Sequence, residues 1–164
     1  MSEVVTRYDT LFQIGYSIRL EKMQAMFLAR VDRFVNFTLM LLGAAVITTV
    51  FPVATGIAIA ALGGFSFVYQ PGVKSILALG QKQKYEKLLS RAGSLSDDEL
   101  FICFSEIQES DSQIIGSLMC PAHMGELIRL NQPVDFTLSR LEKIMAFTAG
   151  DLPKPPQVDH KSSA

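Results

Sequence analysis

From Phe34 to Val73 the chain runs forty residues without a lysine, arginine, aspartate, glutamate or histidine, and Pro52 falls near the middle. A helix of about 18 residues is roughly 27 Å long, close to the hydrocarbon thickness of a bilayer. The pattern therefore predicts two membrane-spanning helices, about 34–50 and 53–69, reversing at Phe51 and Pro52. Proline lacks an N–H and biases the residue before it away from helix, which makes Pro52 a natural turning point. One helix through all forty residues would be about 60 Å long, twice what a bilayer needs. The alternative is a buried helical hairpin inside a soluble bundle. The remaining residues would then have to surround both helices, since neither has a polar face to show to water.

On the N-terminal side, residues 8–33 read as an amphipathic helix with Tyr8, Leu11, Phe12, Ile18, Met23, Met26 and Phe27 spaced mostly by three or four. After Gly72 a further helix is expected over 74–91, ended by Gly93. Ser96 and Glu99 form a capping box, in which each side chain satisfies the other's backbone N–H, and a helix over 97–109 follows. Pro121 opens a short helix to about Leu130, and a last helix covers about 136–149, stopping at Gly150. The proline-rich tail from Asp151 reads as disordered. The fold class is thus all-α, a membrane protein in four parts: an N-terminal cytoplasmic amphipathic helix (1–33), a transmembrane hairpin (34–73), a cytoplasmic helical region (74–150) and a disordered tail (151–164).

Charge gives the hairpin a direction. Arg19, Lys22, Arg30 and Arg33 precede it and Lys74, Lys82, Lys84, Lys87 and Arg91 follow it, so both termini are expected in the cytoplasm. Phe34 and Phe37 at one end and Phe65, Phe67 and Tyr69 at the other fit an aromatic belt, or ordinary packing. Residues 1–92 hold ten basic and five acidic side chains, and residues 93–164 hold five basic and eleven acidic. The basic half suits an anionic lipid surface, and a lipid membrane is the expected partner. No nucleic-acid partner is expected, because the basic residues flank the apolar block. More than thirty residues, several of them charged, precede that block, which argues against a signal peptide. Cys103 and Cys120 fall in the cytoplasmic part, where thiols stay reduced.

Candidate chemistry adds little. Asp97, Asp98 and Glu99 are explained by the positive end of a helix dipole and need no metal. Cys120 and His123 have a C-x-x-H spacing, but a zinc site wants four ligands and a thiol nucleophile wants a third member; packing explains them better. Gly63 and Gly64 lie inside the apolar run, not between a strand and a helix. No catalytic, cofactor-binding or metal-ligating residue is assigned, and neither enzyme activity nor a cofactor is expected. Gly56, Ala60 and Gly64 recur every four residues as a small-residue stripe, with Gly43, Ala44 and Thr48 a looser counterpart on the first helix. The two stripes either close the hairpin within one chain or join neighbouring subunits as a homo-oligomer.

The order of elements, with the basic helix and capping box of QKQKYEKLLSRAGSLSDDELFICFSEIQES, resembles the SLATT family of bacterial two-transmembrane effector domains associated with nucleotide-signalling conflict systems. The similarity covers about residues 8–149 and carries no catalytic residues. It implies a multi-pass protein of the bacterial inner membrane that oligomerises and forms a pore or disrupts the membrane in a conflict, phage-defence or phage-exclusion setting, under a cytoplasmic sensor protein. Two helices cannot enclose a path alone, so a pore needs several subunits. The candidate lining is Asn36, Thr48, Thr49, Thr55, Ser66 and Gln70, all neutral and so poorly ion-selective. Two rival functions remain, a non-toxic membrane anchor or adaptor that binds a partner through its acidic C-terminal helices, and the soluble helical bundle.

Overall fold

The computed structural model describes residues 6–47, 52–111 and 113–154, and among these it contains helices and turns but no strand. The first helix, α1 (Arg7–Ile47), runs 41 residues, about 61 Å. It joins into one rod the amphipathic helix and the first apolar segment, which the sequence pattern divided near Arg33. Nothing local requires a break there. The stretch from Arg30 to Phe37 holds neither proline nor glycine, so the hydrogen-bond ladder runs on through the change from charged to apolar side chains.

Two further helices return beside α1, namely α2 (Pro52–Tyr69) and α3 (Pro71–Arg91). Between them Gln70 adopts left-handed dihedrals, φ 49° and ψ 56°, and Pro71 takes the first helical position. Proline costs nothing there because that N–H has no helical partner, which is why α3 starts at Pro71 and includes Gly72. The antiparallel register is fixed by contacts along its length. A Cβ on Gly72 would lie 3.0 Å from the Asp32 carboxylate. Lower down, the Ser75 hydroxyl donates to the Ala25 carbonyl at 2.8 Å. At the far end the Arg7 guanidinium donates to the carbonyls of Ala92 and Leu95 and pairs with Asp97 at 2.6 Å.

The lower half of α1 buries two faces. Leu11, Ile14 and Ile18 pack with Tyr85, Leu88, Leu100 and Phe104, which brings α3 and α4 (Asp97–Gln108) to one side. Tyr16, Leu20, Met23 and Phe27 pack with Leu118, Ala122, Ala146 and Ala149, which brings α5 (Met119–Arg129) and α6 (Arg140–Ala149) to the other. At 3.6 residues per turn these two sets lie about 180° apart around α1. The expected single apolar face is therefore corrected: this part of α1 is the centre of the bundle, covered on both sides.

The capping box of Ser96 and Glu99 starts α4 as expected. A second one, Ser139 with Glu142, starts α6 at Arg140, later than the 136 expected from the apolar pattern. Phe136 lies instead against the His123 ring, 5.9 Å between centroids, and Leu138 is buried. Gly150 ends α6 at φ 75°, where a Cβ would be strained. The tail does not leave the bundle at once. Asp151 pairs with Arg19 at 2.5 Å and Pro153 is buried; residues 155–164 lie outside the described residues.

Close approach holds α5 to α1. A Cβ on Gly15 would fall 1.9 Å from Glu126 Oε1, and one on Gly125 would fall 2.1 Å from the Arg19 guanidinium carbon. Glu126 is buried and is held by Arg129 at 2.6 Å.

Among the described residues one helical stretch contains an eighteen-residue window long and apolar enough to cross a membrane. It runs from Val53 through α2 and α3 to Ser94, with mean hydropathy 1.5 and 6% of the window buried. The uncharged described end of α1, Phe34–Ile47, is shorter.

Two substitutions separate the faces of α1. Ile14 and Met23 are both fully buried, and truncating either to alanine is expected to cost about 2–5 kcal/mol. By hydrogen exchange, Ile14→Ala should lose protection chiefly in α3 and α4 and Met23→Ala chiefly in α5 and α6. Equal loss on both sides for each variant would show that the faces melt as one.

Candidate functional site

The upper half of the hairpin presents a surface instead of a cleft. Phe34, Phe37 and Met40 on α1 are 70%, 60% and 76% exposed, and Phe67 and Val68 on α2 are 79% and 82% exposed. Val73, Ile76 and Leu77 carry the same exposure into the first turns of α3. Contiguous apolar surface of this extent marks a place where something other than water is met. Within this last stretch Lys74 lays its ammonium 3.8 Å from the centre of the Tyr69 ring, a cation–π contact that holds the charge against an aromatic side chain.

The small-residue stripe belongs to this outer surface. Gly56, Ala60 and Gly64 are exposed, as are Gly43 and Ala44. A Cβ built on Gly43, Gly56 or Gly64 would meet no atom within 4 Å. Closing the hairpin within one chain is therefore not what these glycines do, in contrast to Gly15 and Gly125. The inner face of α2 is made by the buried Thr55 and the half-buried Ile59, Leu62 and Ser66, which recur at helical spacing.

That placement divides the six candidate lining residues. Thr55 and Ser66 share the inner face and look toward α1, away from the outer surface of the hairpin. Asn36 is exposed, with its amide donating to Asp32 at 3.1 Å, and Gln70 is exposed at the left-handed break. Thr48 and Thr49 lie outside the described residues. The geometry does not gather the six on one face of a single chain.

Below the apolar band lies a polar network that the sequence pattern did not reveal. Gln81 and Tyr85 are buried one turn apart on α3. The Gln81 amide donates to the Ile107 carbonyl and to Asp111 Oδ1, each at 2.7 Å, and the Tyr85 hydroxyl donates to Asp111 at 2.7 Å. On the other side of α1, the Gln24 amide donates to the Gln113 carbonyl at 3.0 Å and its oxygen accepts from the Ile115 N–H at 3.1 Å. Both side chains tie loops to the bundle, a role for which the sequence carries no local signal. Burial, and then the Asp111 carboxylate, push the Tyr85 hydroxyl well above the usual tyrosine range.

Cys120 and His123 do not form a reacting pair. The thiol is hydrogen-bonded to Glu142, which pushes its pKa up, the opposite of the shift that activates a thiol. The His123 ring packs edge-on to Phe12 and Tyr16, 5.3 Å and 5.8 Å away. Among the described residues no three His, Cys, Asp or Glu side chains stand together to hold a metal ion.

Tyr85→Phe would leave Asp111 without its hydroxyl donor and is expected to cost about 1–3 kcal/mol at neutral pH. Because the unfolded chain releases the tyrosine proton near pH 10 and the folded chain holds it, this stabilisation is complete below about pH 10 and falls away above it. Thermal melts from pH 8 to 11 should therefore drop more steeply for the wild type than for Tyr85→Phe. Parallel curves would remove Tyr85 as the source.

No protein-family model matches the chain, and no curated protein or solved structure is significantly similar to it.

Proposed function

We propose that the chain crosses the bacterial inner membrane twice, with both termini in the cytoplasm, and acts as an oligomeric effector that forms a pore or disrupts the membrane in a conflict, phage-defence or phage-exclusion setting. One observation carries this reading: the apolar end of α1 and the outer face of α2 are uncovered, while the half below them has two packed cores. A soluble bundle would have to cover Phe34, Met40, Phe67 and Val68, and no described element does so. The band continues past Tyr69 into Val73 and Ile76, so α3 enters the headgroup region, and Lys74 and Arg30 mark the cytoplasmic boundary.

The outward-facing stripe of Gly56, Ala60 and Gly64 supports assembly between subunits, since small residues let helices of neighbouring chains approach closely. With Thr55 and Ser66 turned toward α1, a water path between subunits draws on the exposed faces instead, where Asn36 and Gly43 share one side of α1. Above Arg33 and Asp32, whose carboxylate accepts from the Asn36 amide at the lower edge, those faces carry no charge as far as Tyr69, which favours an unselective leak over ion selection.

The rival adaptor reading is favoured by the exposed acidic side chains of α4, which suit a basic partner. Overexpression with a membrane-potential dye separates the two: depolarisation is expected for the effector, and recovery of one tight partner without depolarisation for the adaptor. Reporter fusions test the topology beneath both. A reporter inserted near Pro52 should be periplasmic and one at Ala164 cytoplasmic; a cytoplasmic signal from both removes the spanning hairpin. Gly64→Leu is expected to shrink the oligomer in mild detergent and reduce toxicity at least several-fold. Unchanged size and toxicity would show that the stripe is not the assembly face.

A further inference from the structure

The cytoplasmic bundle carries two uncovered helix faces of opposite charge on opposite sides of α1. On α6, Arg140, Ile144 and Phe147 recur at i, i+4 and i+7, with Lys143 and Leu141 at the flanks. Ile144 is 62% exposed and Phe147 73% exposed. On α4, Leu100 and Phe104 turn inward, and the outward face carries Ile102, 54% exposed, with Glu106 one turn on and Glu109 at the helix end. Among the described residues none of Glu106, Glu109, Arg140 and Lys143 joins an ion pair.

The heights of the two faces also correspond. The end of α4 is tied to Gln81 through the Ile107 carbonyl. Gln81 lies between Ser75, which bonds Ala25, and Tyr85, which packs with Ile14, and so falls near the middle of the segment between Ile14 and Ala25. On the other side Ala146 shares one core with Leu20 and Met23, and the Thr148 carbonyl, near the end of α6, is held by Arg30 at 2.5 Å. Helix α6 therefore climbs alongside α1, and Arg140 and Lys143, one to two turns below Ala146, come level with Glu106 and Glu109.

The geometry points to a second copy of this chain as the occupant of both faces: the basic, apolar face of α6 in one subunit docks on the acidic, apolar face of α4 in the next. The contact is heterologous, and because its two halves lie on opposite sides of α1, repetition gives a ring or row of chains standing side by side. It deepens the membrane-effector reading and rests on it in one respect, since insertion holds neighbouring copies parallel and at one depth. Ile102 and Ile144 would leave water together while the charges around them set which faces meet.

Charge reversal in separate chains provides the test. One full-length chain carries Glu106→Lys with Glu109→Lys, and the other carries Arg140→Glu with Lys143→Glu. Each purified alone in mild detergent should assemble at least about ten-fold more weakly than the wild type, by mass photometry. Mixed, each supplies the face the other now needs, and assembly should return. Thermal melts unchanged by either pair of substitutions exclude misfolding; if a double reversal unfolds, the single changes Glu109→Lys and Arg140→Glu serve in the same mixture. Assembly unaffected by either reversal overturns the contact. So does loss in both that mixing does not restore, the result expected if lipid or an unrelated protein occupies these faces. Depolarisation is read separately in cells: restored assembly without it keeps the contact and ends the pore reading, and depolarisation by each reversed chain alone ends the contact and keeps the effector.

Discussion

Everything in this molecule hangs on the burial of α1 from two sides. A 41-residue helix standing alone would be a poor core, since a helix gains its stability in a protein mainly by packing an apolar face. Here the lower half has two such faces about 180° apart, one centred on Ile14 and the other on Leu20 and Met23. Each face recruits its own helices, α3 with α4 and α5 with α6, and the two groups meet chiefly through α1. The upper half has one covered side, toward α2, and an open one.

That difference explains how glycine is used along the chain. In the lower half glycines sit where another element comes too close for a side chain: Gly15 against the buried Glu126 carboxylate, Gly125 against the Arg19 guanidinium. Both contacts lock α5 to α1 through charged groups that are paired with Arg129 and Asp151. In the upper half Gly43, Gly56 and Gly64 touch nothing. A glycine in a helix interior costs about 1 kcal/mol relative to alanine, so three uncovered ones are a standing loss in an isolated chain, which a neighbouring helix at close range would offset.

The polar side chains divide in the same way. Gln81, Tyr85 and Gln24 are buried in the lower half with their hydrogen bonds made to the carbonyls of Ile107 and Gln113 and to Asp111, so they fix where the loops after α4 and before α5 cross the bundle. On the outside of that half, Asp97 of α4 is paired with Arg7, whereas Glu106 and Glu109 on α4 and Arg140 and Lys143 on α6 join no ion pair among the described residues. Two such faces brought together would set both register and partner choice.

Some of this was written in the sequence. Forty residues without a charge require a helix hairpin or a buried core by length and hydropathy alone, and Ser96 with Glu99 and Gly150 mark helix ends because capping is a local interaction. The second capping box, Ser139 with Glu142, was equally local, yet the apolar residues from Phe136 onward masked it. Tertiary structure decided the rest. Whether α1 shows one apolar face or two depends on which helices return to it, and periodicity cannot register two opposed faces whose signals cancel around the helix. Whether a small residue is a contact or a gap depends on what stands opposite, which is why Gly15 and Gly64 look alike in sequence and differ in space. Hydrophobic length and capping act within a few turns of one helix, whereas the sides on which charge and apolar surface are left over are set only when distant segments meet.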